Sequence, residues 1–232
     1  MQTTRSRMRA RLATPLPCLW RCFFGTLLNI LCGNYTTANA LNEELAALAD
    51  EKDAAFWKAG VMLIRGHVFA EMGKPSDAVK LLTSGMTAWR STGATQSLAY
   101  HLALLARAHS QLGQYDDAWR CIGEATKMVE TTKERWFEAD VHRYGGEVAL
   151  LSSEPDAAKA QTYFERALAV ARQQQAKSWE LRASMSLARL WRDQGKVQQA
   201  RALLAPVYGW FTEGFDTRDL KEAKALLEQL GT

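Results

Sequence analysis

Four histidines, His67, His101, His109 and His142, are the side chains of this sequence whose ordinary titration lies closest to neutral pH. One of them, set beside the Ser97 hydroxyl or the Cys121 thiol, would make a base and nucleophile pair. Such chemistry needs the two groups within hydrogen-bond reach and a third group to orient the base, and no motif here places them together. Cys18 and Cys22 are four residues apart, so on a helix they share a face and could form a metal or redox pair. With Cys32 and Cys121 they lack the paired spacings of a zinc finger or a disulfide scaffold. The expectation is buried small hydrophobes in a reducing, cytoplasmic compartment, with no metal and no cofactor. "GKPS" at Gly73 follows a predicted helix instead of a strand, and no GxxxxGK phosphate loop is present. The paired aspartates on a sheet that a nucleotide cyclase requires are also missing.

Charge narrows the partners. The chain has 232 residues, 29 basic and 25 acidic, but Arg5, Arg7, Arg9 and Arg11 carry the whole excess. From residue 12 onward 25 basic residues face 25 acidic ones, so the body has no electrostatic footprint for nucleic acid. Residues 1–15 read as a disordered basic segment. The basic head followed by "CLWRCFFGTLLNILCG" has the order of a signal sequence, and insertion of residues 16–32 would make a membrane-anchored protein. Arg21 and Asn29 interrupt that run, and the stretch between them is too short for a bilayer, so no membrane partner is expected.

The elements that must position these residues repeat. "GNYTTA" at Gly33, "GKPSDA" at Gly73 and "GQYDDA" at Gly113 recur every 40 residues, and "GKVQQA" at Gly195 stands 82 further on. A lengthened copy falls near "SSEPDAAKA", with Ala160 in the place of Ala38, Ala78, Ala118 and Ala200. Glycine takes the left-handed conformation that closes a helix. The alanine after it enters the next helix, where it should face a small residue of the helix before: Gly66, Ala106, Gly146 or Ala188. Each unit is therefore a helical hairpin, and no segment sustains strand alternation. Hairpins are expected at 16–50, 54–90, 96–130, 135–174 and 178–211, with a capping helix at 217–230. Within them, helices 54–72, 96–112, 135–151, 178–194 and 197–211 matter most below. The apolar N-terminal run becomes the first helix, buried by its partner. Trp57, Trp136 and Trp179 recur at hairpin entry and are read as core wedges between repeats, as are Trp191 and Trp210.

Glycine, a turn aromatic and alanine, with "YFERALAVA" after the longest turn, resemble the tetratricopeptide (TPR) repeat in a longer-helix form, 40 residues against the usual 34 or so. The resemblance implies an all-α, right-handed solenoid with a concave face. "ERWFEADVHRYGGEVAL", "AKSWELRASMSLARLWRDQGK" and "LLAPVYGWFTEGFDTRDLKEAKALLEQL" further resemble the C-terminal repeat arrays of large bacterial signalling proteins. Those proteins carry a class III adenylate/guanylate cyclase or a transcription-factor domain, then an AAA-type ATPase domain, before the repeats. The likeness covers roughly 30–232 and implies a truncated gene product or a free-standing array without catalytic parts.

On the concave face, counting around the small-residue positions gives His67, Glu71, Tyr100, Arg107, Arg143, Glu147, Arg182, Arg189 and Arg192. The converging arginines suit the carboxylates of an acidic or C-terminal peptide, which a planar guanidinium grips with two bonds. The plainer reading is a solvated face whose arginines pair with Asp140, Glu147 and Asp193. The function expected is a non-enzymatic protein-interaction scaffold in cytoplasmic signalling, with a piece of a cyclase or ATPase as the alternative.

Overall fold

The computed structural model describes residues 16–231, so the basic stretch at 1–15 lies outside the described residues. Among the described residues the chain forms eleven helices and no strand. They are α1 Leu16–Leu31, α2 Tyr35–Glu51, α3 Ala55–Glu71, α4 Pro75–Ser91, α5 Leu98–Gln111, α6 Tyr115–Thr132, α7 Glu138–Leu151, α8 Ala157–Gln173, α9 Lys177–Asp193, α10 Val197–Tyr208 and α11 Arg218–Gln229. Consecutive helices pack in pairs, from α1 on α2 to α9 on α10. The first members α1, α3, α5, α7 and α9 also lie side by side, and α11 covers α9 and α10.

Each repeated glycine ends a helix as its spacing implies. Gly33, Gly73, Gly113 and Gly195 have φ of 81, 69, 74 and 76°. The amide of the next residue reaches back five positions, as in Asn34 to the Asn29 carbonyl and Gln114 to His109. The alanines Ala38, Ala78, Ala118, Ala160 and Ala200 are all fully buried. Their expected partners differ, however. A Cβ on Gly66 would stand 2.9 Å from Leu82, and one on Gly146 would strike Phe164, so the small residue admits the side chain one turn beyond the alanine. Ala78 instead packs with Ala70 and Ala108 of the neighbouring first helices.

Helix ends depart from expectation where a side chain intervenes. Glu134 accepts the Ser97 amide at 2.9 and 3.0 Å and the Trp136 indole at 2.6 Å, which ties 95–97 and 134–137 into turns, so α5 and α7 start late. Pro206 has no amide hydrogen and crowds the preceding turn, and α10 stops at Tyr208. These turns also correct the tryptophan reading. Trp57 is buried and Trp179 and Trp191 are half-buried, but Trp136 and Trp210 are exposed, since both sit outside the helices that would cover them. Of the cysteine pair, Cys22 is buried and Cys18, in the open first turn of α1, is exposed; all four cysteines are free thiols. The first helix is covered by its partner on one side only: Leu19, Cys22 and Ile30 are buried, whereas Trp20, Phe24 and Leu28 are not. No described helix is long and apolar enough to cross a membrane.

The two ends of the array meet. The Arg218 amide donates to the Cys32 carbonyl at 3.3 Å, and Arg182 Nη2 donates to the Leu31 carbonyl at 2.8 Å. Gly33 is needed there, because a Cβ would lie 2.6 Å from Arg218 Cβ. The start of α11 is thereby seated on the α1–α2 turn, and the row of first helices encloses a cavity.

Candidate functional site

The 40-residue period places equivalent side chains of α3, α5, α7 and α9 on one line. His67, Arg107, Glu147 and Arg189 form one such series, and Tyr100, Asp140 and Arg182 another. Because the residue types change from repeat to repeat, cations and anions become neighbours. The result is one alternating chain of ten ions. Arg189 Nη2 meets Glu222 at 2.8 Å, and Glu222 meets Arg218 at 2.7 Å. Arg218 reaches Glu71 Oε2 at 2.8 Å, and Glu71 Oε1 takes Arg107 at 2.9 Å. Arg107 continues to Glu147 at 3.2 Å, Glu147 pairs with Arg143, and Arg143 lies 2.5 Å from Asp140. Asp140 faces Arg182 at 3.9 Å, and Arg182 ends the chain on Asp219 at 2.7 Å.

Five guanidiniums thus balance five carboxylates, and all of these groups except Asp140 line a cavity of about 120 Å³. Tyr144 lies against both Arg143 and Arg107, its ring 4.2 Å and 5.7 Å from their guanidinium carbons. The pairings of the plainer reading are present, Arg143 with Asp140 and Glu147 and Arg192 with Asp193, but the inner part of the network is buried and not a solvated face. Side chains of Glu71, Asp140, Arg143 and Arg182 are each at least 86% covered. Burial would raise the Glu71 carboxyl, but Arg107, His67 and Arg218 hold it down at about 2. Burial likewise works against the charge on Arg107, and Glu147, Tyr144 and Glu71 more than restore it.

Of the nine concave-face residues expected from sequence, His67, Glu71, Tyr100, Arg107, Arg143, Glu147, Arg182 and Arg189 line this cavity together. Arg192 does not; it turns to Asp193 and Gln229 at the end of α9. The concave-face count passes over Tyr144 of α7, and it omits Arg218, Asp219 and Glu222 because the sequence marks α11 only as a cover. The four-residue step from Arg218 to Glu222, which places an ion pair on one helix face, was the available signal.

The histidines are divided by burial. His67 shares a 3.2 Å hydrogen bond with the Tyr100 hydroxyl, and burial depresses its pKa to about 4. His101 is pushed to about 3 in the same way, and its Nδ1 has no partner. His109 bonds to Gln114, and His142 packs near Tyr163. Neither Ser97 nor Cys121 is within hydrogen-bond reach of a histidine: the Ser97 amide is held by Glu134, and burial pushes the Cys121 thiol up to about 11. Among the described residues no three His, Cys, Asp or Glu side chains gather as a metal-ligand set.

No family model matches the sequence, and no curated protein matches it. Solved structures do. The Rap protein complexed with competence and sporulation factor superposes over 95% of this chain with a TM-score of 0.72 and 13% identity. This chain spans 59% of that one. BtubC from P. vanneervenii matches over 99% of this chain and 86% of its own, with a TM-score of 0.59 and 17% identity. The nearly identical TPR-like repeats assigned to a kinesin light chain of Podosopora anserina match over 94% and 98%, with a TM-score of 0.53 and 16% identity. Together with the left-handed turns, the buried alanines and the paired helices, these likenesses establish that the chain has the fold of a TPR-like repeat array.

Proposed function

We propose that the chain is a non-enzymatic interaction module that receives a protein or peptide partner, through acidic groups, at the concave cavity, as the regulatory repeat part of a signalling protein. One observation carries this reading: the side chains of four first helices and the closing helix converge on a single polar cavity, and two of its cations are accessible. Arg189 and Arg218 have side chains about 41% and 40% exposed, against 12% for Arg143 and 14% for Arg182. The deep arginines hold the array together, and the outer pair stands at the mouth.

Both outer arginines share Glu222. An incoming carboxylate exchanges with Glu222 and keeps each guanidinium paired, which avoids leaving a charge alone. The cavity itself holds a side chain or a chain terminus, so the body of the partner lies across its mouth. The Rap structure, of the same fold, is a complex with competence and sporulation factor, which is consistent with partner binding by such an array.

The test is binding of the full chain to an array of acidic and neutral peptides with free and amidated ends. The wild type is expected to retain acidic peptides. Arg189→Glu should weaken them at least tenfold with unchanged helicity, a loss typical of one charge-assisted pair. Equal retention of neutral peptides, or no effect of Arg189→Glu, would contradict the proposal.

A further inference from the structure

The ion chain around the cavity is neutral, so a carboxylate that enters it leaves one acidic group over. At the mouth that group is Glu222, which holds Arg189 at 2.8 Å and Arg218 at 2.7 Å. What Glu222 meets after the exchange decides which ligands enter. Its side chain is 37% exposed, and burial already works against its charge; Arg218 and Arg189 together hold the carboxyl below the usual range. With both arginines taken by the ligand, the burial remains and the compensation is gone.

Among the described residues, the cations around Glu222 are engaged or face away. Three and four residues from it along α11 stand Asp219, Ala225, Arg218 and Leu226. Arg218 is the guanidinium just given up, and Asp219 adds a like charge. Lys221 and Lys224 lie one and two residues away, spacings that do not face each other on a helix, and Lys224 turns to Glu228. On α9, Arg182 is bound to Asp219 at 2.7 Å and to the Leu31 carbonyl at 2.8 Å. Arg192 is bound to Asp193 at 2.9 Å and to Gln229 at 2.7 Å. Arg107 and Arg143 each already sit between two carboxylates. A half-buried carboxylate beside a second acid is therefore best served by a cation that arrives with the ligand.

We propose that the cavity selects a carboxylate with a lysine or arginine side chain beside it, the carboxylate seated on Arg189 and Arg218 and the ligand's cation on the displaced Glu222. The proposal rests on the carboxylate exchange described above and adds the second charge to it. A ligand of this kind brings no net charge to a balanced cavity, whereas a purely acidic one does. The carboxylate comes from a chain terminus or from an acidic side chain, and the test separates the two.

Fluorescence anisotropy on the full chain, with peptides matched in length, provides that test. The residue beside the carboxylate is lysine or its uncharged analogue norleucine, and the carboxylate is either a free C-terminus or an internal aspartate between capped ends. In at least one of these two frames the lysine peptide should bind about threefold more tightly, the ratio of a partly exposed ion pair. Glu222→Gln, of the same size, should abolish that ratio with helicity unchanged. It should also bind the norleucine peptide more tightly than the wild type does, because the internal competitor is gone. Glu228→Gln, which removes an exposed acid elsewhere on α11, should keep the wild-type ratio. Equal binding of the lysine and norleucine peptides in both frames, or a lysine preference that survives Glu222→Gln, overturns the proposal and leaves the acidic site standing. Acidic peptides that bind no better than neutral, amidated ones contradict the carboxylate site itself, and the proposal with it.

Discussion

Glu71 joins the two halves of the ion chain, with Arg107 on one oxygen and Arg218 on the other. Removing its charge leaves the mostly buried Arg107 and the partly exposed Arg218 each short of a partner, so Glu71→Gln is expected to cost about 3 kcal/mol in urea unfolding, the low end for a broken buried pair. Arg120→Ala, which breaks only the exposed pair with Asp117, should leave the midpoint where it was. The histidines give a pH test. His67 and His101 have folded pKa values near 4 and 3 against 6.5 unfolded, so between those limits the unfolded chain binds more protons. Stability is therefore complete above about pH 6.5 and falls as the pH drops towards 4, by a few kcal/mol in total. His101→Leu, which also removes the unpartnered Nδ1, should flatten that slope; an unchanged slope from pH 7 to pH 4.5 would contradict the burial argument. At this scale the cavity was partly legible in the sequence. The spacing of His67, Arg107, Glu147 and Arg189 revealed a shared face, because the period fixes direction. Their partners were hidden, since Arg218 lies 147 residues from Glu71 and meets it only after the array closes.

The elements were legible to the extent that glycine marks them. Gly33, Gly73, Gly113 and Gly195 declared one turn of each unit. The alternate turns use the same left-handed geometry at Asp53, Gly93, Lys133 and Gln175, spaced 40, 40 and 42, but three of these are not glycine and gave no signal. The late starts of α5 and α7 depend on Glu134, a tertiary contact that propensity does not contain. The four marker glycines are equivalent in backbone but differ in surroundings. Each pays about 1–2 kcal/mol if changed to alanine, from its positive φ. Only at Gly33 does the new Cβ also meet α11, while Gly73, Gly113 and Gly195 face open space. Gly33→Ala should therefore release residues 218–229 to fast amide exchange, and Gly73→Ala should not. Equal exchange in the two variants would mean that α11 is not seated on the first turn.

Across the whole molecule, the period of 40 does two things at once. It stacks buried alanines and leucines into a continuous core, and it lines up polar positions whose charges alternate from repeat to repeat. Closure by α11 then supplies the last cation and the last two anions, so the fold is held partly by the same groups that form the cavity. This makes the site sensitive to array geometry, and it predicts that a bound partner is felt by helices far apart in sequence. Amide hydrogen exchange of the full chain, with and without the strongest acidic peptide at saturation, tests this most directly. Protection is expected in segments 67–71, 100–107, 143–147, 182–189 and 218–222 together. Protection confined to the second helices α2, α4, α6 and α8, or none at all, would contradict the concave cavity as the binding site.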